Sequence, residues 1–185
     1  MRPGEANLAV ENFRETTYYK FIRKIYNAVP DHLKDKVIVL PHPLIKKAAV
    51  AASQSSGGAP DDDVIKLMLP DLTHEEVLRM TDTLITDYSS ISYDAFYRGA
   101  NVIFDWEEKD DTIAYYGKSS RLMLTEELAF GEVAYDSDRL EEAIREVYGK
   151  PHEEVFEERF GKIVTYHDGR NTERFIEMAK RDGLI

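Results

Sequence analysis

The sequence contains no cysteine among its 185 residues. It can therefore form no disulfide bond, no thiolate metal site and no cysteine nucleophile, and this composition suits a reducing compartment. Basic side chains are also scarce, since 24 Lys and Arg stand against 35 Asp and Glu and give a formal net charge of −11. A general binder of nucleic acid or anionic membrane needs a basic surface. We therefore expect no nucleic-acid partner, and any anionic ligand must be held by local donors.

Long apolar runs are missing as well. The chain has no stretch of 18 apolar residues, and its first residues, Met-Arg-Pro-Gly-Glu-Ala-Asn, lack the apolar region of a signal peptide. These features predict a cytoplasmic chain without a targeting segment of its own. Apolar residues still make up 43% of the sequence and aromatic residues 11%, which is enough for a packed core. The length suits one domain, so residues 1–185 are expected to form a single α/β domain.

Short apolar runs alternate with helical patterns along the chain. Strands are predicted at 37–40, 64–69, 84–86, 101–104 and 132–135. Helices are predicted at 13–29, 44–52, from a capping box at Thr73, and at 91–98, 138–148, 152–164 and 171–181. This alternation is typical of a Rossmann-like α/β domain with a mostly parallel sheet, here of about five or six strands with 84–86 in the centre.

The carboxyl ends of parallel strands are where ligands bind in open α/β sheets. Three predicted strand ends therefore need attention, namely Pro41-His42-Pro43, Pro70-Asp71-Leu72-Thr73 and Asp87-Tyr88-Ser89-Ser90. The third joins two hydroxyls to a predicted helix start, which favours an anion site for phosphate. The alternative is that Ser89 or Ser90 is only an N-cap, which is a common role for serine.

Single residues beside these strand ends have two interpretations each. His42 is held between two prolines, so its imidazole can donate to a phosphate or move a proton, or it can be structural. Asp94 lies one turn into the predicted helix, where it can orient the loop or point into solvent. The acidic runs 61–63 and 107–111 are expected to be solvated loops. No residue pattern demands a metal, although none excludes one, and the P-loop, dinucleotide and nucleophile-elbow glycine motifs are absent.

Four segments of the chain occur in a recognisable order. They are Val37-Ile38-Val39-Leu40-Pro41-His42-Pro43, Leu84-Ile85-Thr86-Asp87-Tyr88-Ser89-Ser90-Ile91-Ser92-Tyr93-Asp94, Val102-Ile103-Phe104 and Asp168-Gly169-Arg170-Asn171-Thr172-Glu173-Arg174. This order resembles the carboxyl-terminal half of the CDP-glycerol glycerophosphotransferase family, the enzymes of teichoic-acid and related surface-polymer synthesis. The resemblance covers roughly residues 37–176, and the Ile-Thr-Asp-Tyr-Ser-Ser segment is its most specific part.

The resemblance implies half of a GT-B transferase, in which two Rossmann-like halves face each other and the carboxyl-terminal half holds the donor. CDP-glycerol would be that donor substrate, with no further cofactor. His42 looks like the family histidine that contacts the donor pyrophosphate, and Ser89 and Ser90 look like its phosphate-binding serines. The remaining implied site residues shape the loop or lie near the cytosine: Asp87, Tyr88 and Asp94 for the loop, Asp71 and Thr73 for the cytosine.

The family's amino-terminal half would supply the acceptor site and the general base. We therefore expect the chain to be a donor-binding fragment that is inactive alone, from an enzyme peripheral to the inner face of the cell membrane, with a polymer or glycolipid acceptor. Leu40, Asn101 and the Asp105-Trp106 pair depart from the family pattern. Two alternatives follow: another GT-B transferase that uses a nucleotide sugar or CDP-polyol, or a non-catalytic α/β binding domain.

Overall fold

The computed structural model of the protein describes residues 13–41, 43–55, 63–68, 72–116 and 124–185. By its internal contacts the chain divides into two compact units. The first consists of Met1–Thr81 with Asp136–Arg145, and the second of Asp82–Tyr135 with Glu146–Ile185. Each unit is described by itself, and a single domain over residues 1–185 stays a prediction.

The first unit is helical in its described part. Its α-helices are α1 (Thr17–Ala28), α2 (Pro43–Ser55), α3 (Asp63–Leu67) and α4 (His74–Met80), with short 3₁₀ helices at Phe13–Glu15 and Asp31–Lys36. Helix α1 begins where the Thr16 hydroxyl accepts a hydrogen bond from the Tyr19 amide, and it ends before Pro30, which cannot continue a helix. Its apolar side chains join a buried cluster that includes Phe13, Tyr19, Val39, Ile45, Ala49, Val64 and Met68.

The capping box predicted at Thr73 is present at the start of α4. The Glu76 amide donates to the Thr73 hydroxyl at 3.2 Å, and the Thr73 amide donates to the Glu76 carboxylate at 2.8 Å. These two bonds satisfy amides that a helix start otherwise leaves unpaired. The bonds from Thr73 hold the pKa of Glu76 below its usual value.

Two strands predicted in the first unit are wrong. Residues 37–40 carry no strand pairing, and a backbone bond joins the Val39 amide to the Leu67 carbonyl oxygen at 3.1 Å. Ile38 is 36% exposed while Val39 is buried, so this run is not covered on both faces. The run at 64–69 forms α3 over Asp63–Leu67 in its described part. A short apolar run suits a buried helix as well as a strand, and packing in the apolar cluster decides between them here.

The second unit contains the sheet. It holds β1 (Thr83–Thr86), α5 (Ile91–Tyr97), β2 (Asn101–Asp105), α6 (Lys109–Tyr116) and β3 (Glu132–Ala134). Helix α7 (Ser137–Val147) follows β3 and belongs to the first unit as far as Arg145, and α8 (Glu154–Ile163) and α9 (Asn171–Arg181) belong to the second unit.

The described sheet has three parallel strands in the order β1-β2-β3, with Thr86 opposite Phe104 and Phe104 opposite Val133. The predicted α/β class with a parallel sheet is confirmed. The predicted five or six strands do not appear in the described ranges, and the central strand is β2 rather than β1. All five residues of β2 are buried, as expected for a strand covered on both faces.

Aromatic side chains form the core beside β2. Phe130 is fully buried and its ring lies 4.9–5.4 Å from four other rings, those of Tyr93, Phe96, Phe104 and Phe160. Edge-to-face and tilted contacts of this kind add about 0.5–1.5 kcal/mol per pair beyond the burial of apolar area. His152 closes one side of this cluster, stacked on Phe96 at 3.9 Å, with its nitrogens facing the Glu157 carboxylate and the Ala100 carbonyl oxygen.

Asn101, one of the departures from the family pattern, has a structural role. Its buried side-chain amide donates to the carbonyl oxygens of Val147 at 3.1 Å and Lys150 at 2.8 Å. Nearby, the Asp82 carboxylate accepts a bond from the Gly149 amide at 3.1 Å. The two Asn101 bonds satisfy carbonyl oxygens at and just after the end of α7, where a helix leaves its last acceptors unpaired, and the Asp82 bond satisfies a backbone amide there.

Gly131 permits the close approach that brings β3 to the sheet. A side-chain Cβ at this position would lie 2.1 Å from the backbone oxygen of Val102, a distance that no real contact allows. Gly161, within α8, has room for a Cβ, since the nearest atom is a His167 side-chain carbon at 3.6 Å. Alanine substitutions at the two glycines can therefore be compared directly, since the added methyl group clashes at Gly131 and has room at Gly161.

Gly131→Ala should lower the free energy of unfolding by about 2 kcal/mol or more, because the backbone of β2 must move to admit the methyl group. Gly161→Ala should raise it by about 0.5–1 kcal/mol, because alanine is the better helix former. Chemical denaturation measures both changes. Equal stability of the two variants would contradict the close approach at Gly131.

Candidate functional site

The segment between β1 and α5 carries the serines that the sequence singled out. Strand β1 ends at Thr86, and Ser89 and Ser90 are exposed directly before α5. Ser90 has α-helical backbone angles and its side chain makes no capping hydrogen bond. Instead, the amide and the hydroxyl of Ser92 both donate to the Ser89 carbonyl oxygen, at 3.2 and 2.9 Å. Ser90 therefore occupies the N-cap position of α5 without a capping bond from its side chain, and the alternative that Ser89 or Ser90 is only an N-cap stays open.

Trp106 ties this segment to the ends of the other two strands. Its indole N–H donates to the Asp87 carbonyl oxygen at 3.3 Å, and its ring stacks on that of Tyr88 with centroids 5.9 Å apart. Its backbone amide donates to the Ala134 carbonyl oxygen at 2.8 Å. The side chain is only 1% exposed. One residue thus holds the carboxyl ends of β1, β2 and β3 in a fixed arrangement.

Tyr88 contributes a phenol that is buried in this arrangement. Its hydroxyl finds no hydrogen-bond partner within the described part of the chain. Burial raises the pKa of Tyr88, and the neighbouring Asp87 carboxylate raises it further. The phenol is therefore neutral, and its ring stacks on Trp106; the loop-shaping role that the resemblance implies for Tyr88 stays a prediction.

A second cluster lies after β2 and β3. The Lys109 ammonium, at the start of α6, contacts the Glu126 carboxylate at 2.6 Å. It also lies 5.0 Å from the Trp106 ring centre and 5.9 Å from that of Tyr135. The Tyr135 hydroxyl donates to the same Glu126 oxygen that Lys109 contacts. We call Lys109, Glu126 and Tyr135 the lysine cluster.

The lysine cluster shifts the ionisation of its members. Hydrogen bonds from Lys109 and Tyr135 hold the pKa of Glu126 below its usual value. Burial, followed by the hydrogen bond to Glu126, raises the pKa of Tyr135 to about 12. Glu126 is therefore an anion and Tyr135 a neutral donor near neutral pH, so the carboxylate is held by two donors at once.

The Asp-Gly-Arg segment forms a separate charged turn before α9. The Asp168 carboxylate accepts two hydrogen bonds from Arg174, at 2.7 and 2.6 Å, and one from the Arg170 amide at 3.1 Å. The Arg174 bonds, the strongest cause, lower the pKa of Asp168, while Asp168 raises that of Arg174. Arg174 also lies over the Tyr166 ring at 4.3 Å. In this part of the resemblance, three hydrogen bonds to Asp168 connect the turn to the first turn of α9.

Of the remaining predicted site residues, some lie outside the described ranges and others lie within them. His42 and Asp71 lie outside the described residues, as do Asp61 and Asp62. Thr73 engages its hydroxyl with Glu76 in the capping box, and nothing tests its proposed place near a cytosine. The other three loop residues are placed together: Asp87 and Asp94 are exposed and Tyr88 is partly buried.

Sequence reasoning missed the lysine cluster and the role of Trp106. Residues 107–111 were expected to form a solvated loop, but Lys109–Asp111 begin α6 and Lys109 is only 22% exposed in its side chain. The one tryptophan of the chain directly after a strand was the available signal. Glu126 offered none, because it contacts Lys109 across 17 positions of the chain.

In the described ranges, no group of three or more His, Asp or Glu side chains is placed to hold a metal ion. Of the helices that the structure describes, none is long and apolar enough to cross a membrane.

The parallel sheet and the helices that alternate with its strands define an α/β, Rossmann-like protein. The family model described as CDP-Glycerol:Poly(glycerophosphate) glycerophosphotransferase matches residues 13–179. The chain therefore belongs to this transferase family, and the resemblance found in the sequence is confirmed. No curated protein and no solved structure gives a significant match.

Lys109→Met should raise the pKa of Glu126 toward its usual value, because the ammonium is the strongest cause of its lowering. The folded state of the parent lowers the pKa of Glu126. The stability that results is therefore fully present when the pH is above the pKa of Glu126 in the unfolded chain, and it is lost as the pH falls through the lower pKa of the folded state. Carboxyl ¹³C NMR against pH measures the shift. The same Glu126 titration in parent and variant would contradict the ion pair.

Proposed function

We propose that this chain binds CDP-glycerol and presents it for transfer of glycerol phosphate to a hydroxyl acceptor, in the synthesis of teichoic acid or a related cell-surface polymer. The observation that carries the proposal is the pair of exposed hydroxyls, Ser89 and Ser90, directly after a strand of the parallel sheet in a glycerophosphotransferase family. Ligands gather at this edge of an open α/β sheet.

The reaction is a phosphoryl transfer that needs positioning and donors. The acceptor oxygen attacks the β-phosphorus of CDP-glycerol, the bond from that phosphorus to the bridging oxygen breaks, and CMP leaves with the bonding electrons. Negative charge then increases on the bridging oxygen. Hydrogen-bond donors placed around the phosphates stabilise this charge more than that of the ground state, which lowers the barrier.

Ser89, Ser90 and His42 are the donors that we assign to this task. The two serine hydroxyls would bind phosphate oxygens, and the His42 imidazole would donate to the pyrophosphate or protonate the leaving oxygen. The assignment of His42 rests on its match to the family His-Pro motif alone. Asp71 and Thr73 would lie near the cytosine by the same comparison.

Short-range donors matter in this protein because its net charge is −11. Such a chain repels a nucleotide diphosphate at long range, although salt screens this repulsion beyond about 8–10 Å. The affinity must therefore come from oriented hydroxyl and amide groups at contact distance. Charge-assisted hydrogen bonds of this kind are worth about 1.5–3 kcal/mol each.

The acceptor would be a polymer or glycolipid at the membrane, which would place the working enzyme at the inner membrane face. The general base that activates the acceptor would come from the family's other half. Leu40 and Asp105-Trp106 depart from the family pattern, so the identity of the donor is the part of the proposal that most needs a test. A nucleotide sugar or another CDP-polyol is the alternative outcome.

The serine pair can be tested by titrating the chain with CDP-glycerol. The Ser89→Ala, Ser90→Ala double variant should bind about tenfold more weakly, or worse, for each lost charge-assisted bond. Fluorescence of Trp106, the one tryptophan, reports binding because its ring stacks on Tyr88 beside the serines. NMR shift mapping extends the measurement to millimolar affinities.

Thr165→Val is the matched control, since it removes an exposed hydroxyl from the turn between α8 and α9. It should leave binding unchanged. Parallel titrations with CDP-ribitol, UDP-glucose and CMP identify the donor. The proposal fails if the double variant keeps its fold and binds as well as the parent, or if no cytidine diphosphate compound binds the parent at all.

His42→Ala should weaken CDP-glycerol binding by a similar factor, since it removes one donor to the pyrophosphate. In an enzyme that contains both halves it should also lower kcat, because the imidazole would stabilise the leaving oxygen. Unchanged binding and unchanged turnover would contradict the assignment of His42.

A further inference from the structure

Lys109 is the one basic residue among the second unit's residues that follow the described strands, namely 87–90, 106–111 and 135. The other charged residues of these segments are acidic. A diphosphate donor bound at this edge would therefore meet carboxylates on several sides and one ammonium. The way in which that ammonium is held decides whether it can reach the donor.

Two aromatic rings and one carboxylate hold the ammonium. The Trp106 and Tyr135 rings lie 5.0 and 5.9 Å from it, and Glu126 pairs with it at 2.6 Å. The two rings attract the ammonium by cation–π interactions, and this attraction does not depend on which anion is the other partner of the ammonium. Trp106 also stacks on Tyr88, the residue directly before Ser89, with 5.9 Å between the ring centres. The Lys109 ammonium therefore contacts the same indole ring on which Tyr88 stacks, and its present partner is a carboxylate.

The carboxylate is the replaceable part of this arrangement. The Glu126 side chain is 60% exposed, and the pair with Lys109 lies at the surface. Ion pairs with an exposed partner contribute little to stability, so little free energy is lost when the partner changes. Each phosphate of CDP-glycerol carries one negative charge, as a carboxylate does, but its pyrophosphate carries two in all and offers more acceptor oxygens, so it is the stronger partner for an ammonium.

We propose that Lys109 is a donor-binding residue that exchanges Glu126 for a phosphate oxygen of the diphosphate donor, so that Glu126 acts as an internal competitor of that donor. The inference rests on the proposed function and adds a specific cation to it. Tyr135 retains Glu126 by its hydrogen bond after the exchange, which keeps the released carboxylate in place. The affinity for the donor then depends on how much more strongly the Lys109 ammonium binds the phosphate than it binds the Glu126 carboxylate.

A purely structural role for Lys109 leads to a different result. If the ion pair only held residues near Glu126 against α6, breaking it from either side would loosen the edge and weaken donor binding. Competition predicts opposite effects of the two partners. Loss of Lys109 must weaken binding, whereas neutralisation of Glu126 must strengthen it.

The experiment measures CDP-glycerol affinity by Trp106 fluorescence and NMR for Lys109→Met, Lys109→Arg and Glu126→Gln. We expect Lys109→Met to bind about tenfold more weakly and Lys109→Arg to retain most of the affinity, because arginine keeps the charge. Glu126→Gln should bind severalfold more tightly. Lys162→Met and Glu127→Gln are the matched controls, since each removes the same charge at an exposed position. They should change affinity little.

Three outcomes overturn the inference: Lys109→Met binds like Lys162→Met, Glu126→Gln binds more weakly than the parent, or Glu126→Gln binds no more tightly than Glu127→Gln. If Lys109→Met unfolds, the sign of the Glu126→Gln effect decides the matter. Failure of the parent to bind CDP-glycerol contradicts the proposed function itself. A parent that binds normally but does not respond to changes at Lys109 contradicts only the role of this lysine.

Discussion

The contact between the backbones of Gly131 and Val102 is the constraint on which the second unit depends. Because residue 131 has no side chain, the chain before β3 passes against β2 at a distance that any Cβ would prevent. That approach places Phe130 in the centre of the aromatic core and lets β3 pair with β2. The carboxyl ends of the three strands then meet at one edge, where Trp106 joins them.

The site follows from this edge in an acidic protein. Parallel strands bring their following segments together, and here those segments supply hydroxyls, aromatic rings, several carboxylates and one lysine. A chain of net charge −11 gains little long-range attraction for a phosphate, so recognition has to come from groups in contact with it. In the proposed site, the exposed serine hydroxyls and the ammonium of the lysine cluster would be such groups.

Elements with a strong local signal were predictable from the sequence. The strands at 84–86, 101–104 and 132–135 and the helix at 171–181 agree with the structure to within a residue or two, because flanking turn residues and apolar periodicity coincide there. The capping box at Thr73 was predictable because its two partners are three residues apart. The strand predicted at 64–69 was wrong because a run of four to six apolar residues is compatible with a buried helix and with a buried strand, and only packing in the first unit decides between them.

The sequence by itself determined the family, the α/β class and the serine segment, because these depend on local order along the chain and on residue types at fixed short spacings. It also determined the charge, and with it the need for short-range donors. Only the tertiary structure decided that β2 is central, that Asn101 binds the end of α7, and that Lys109 meets Glu126 and Tyr135. Those contacts join residues between 17 and 46 positions apart, or depend on strand pairing, and a pattern of neighbouring residues carries no information about which distant partner a side chain meets.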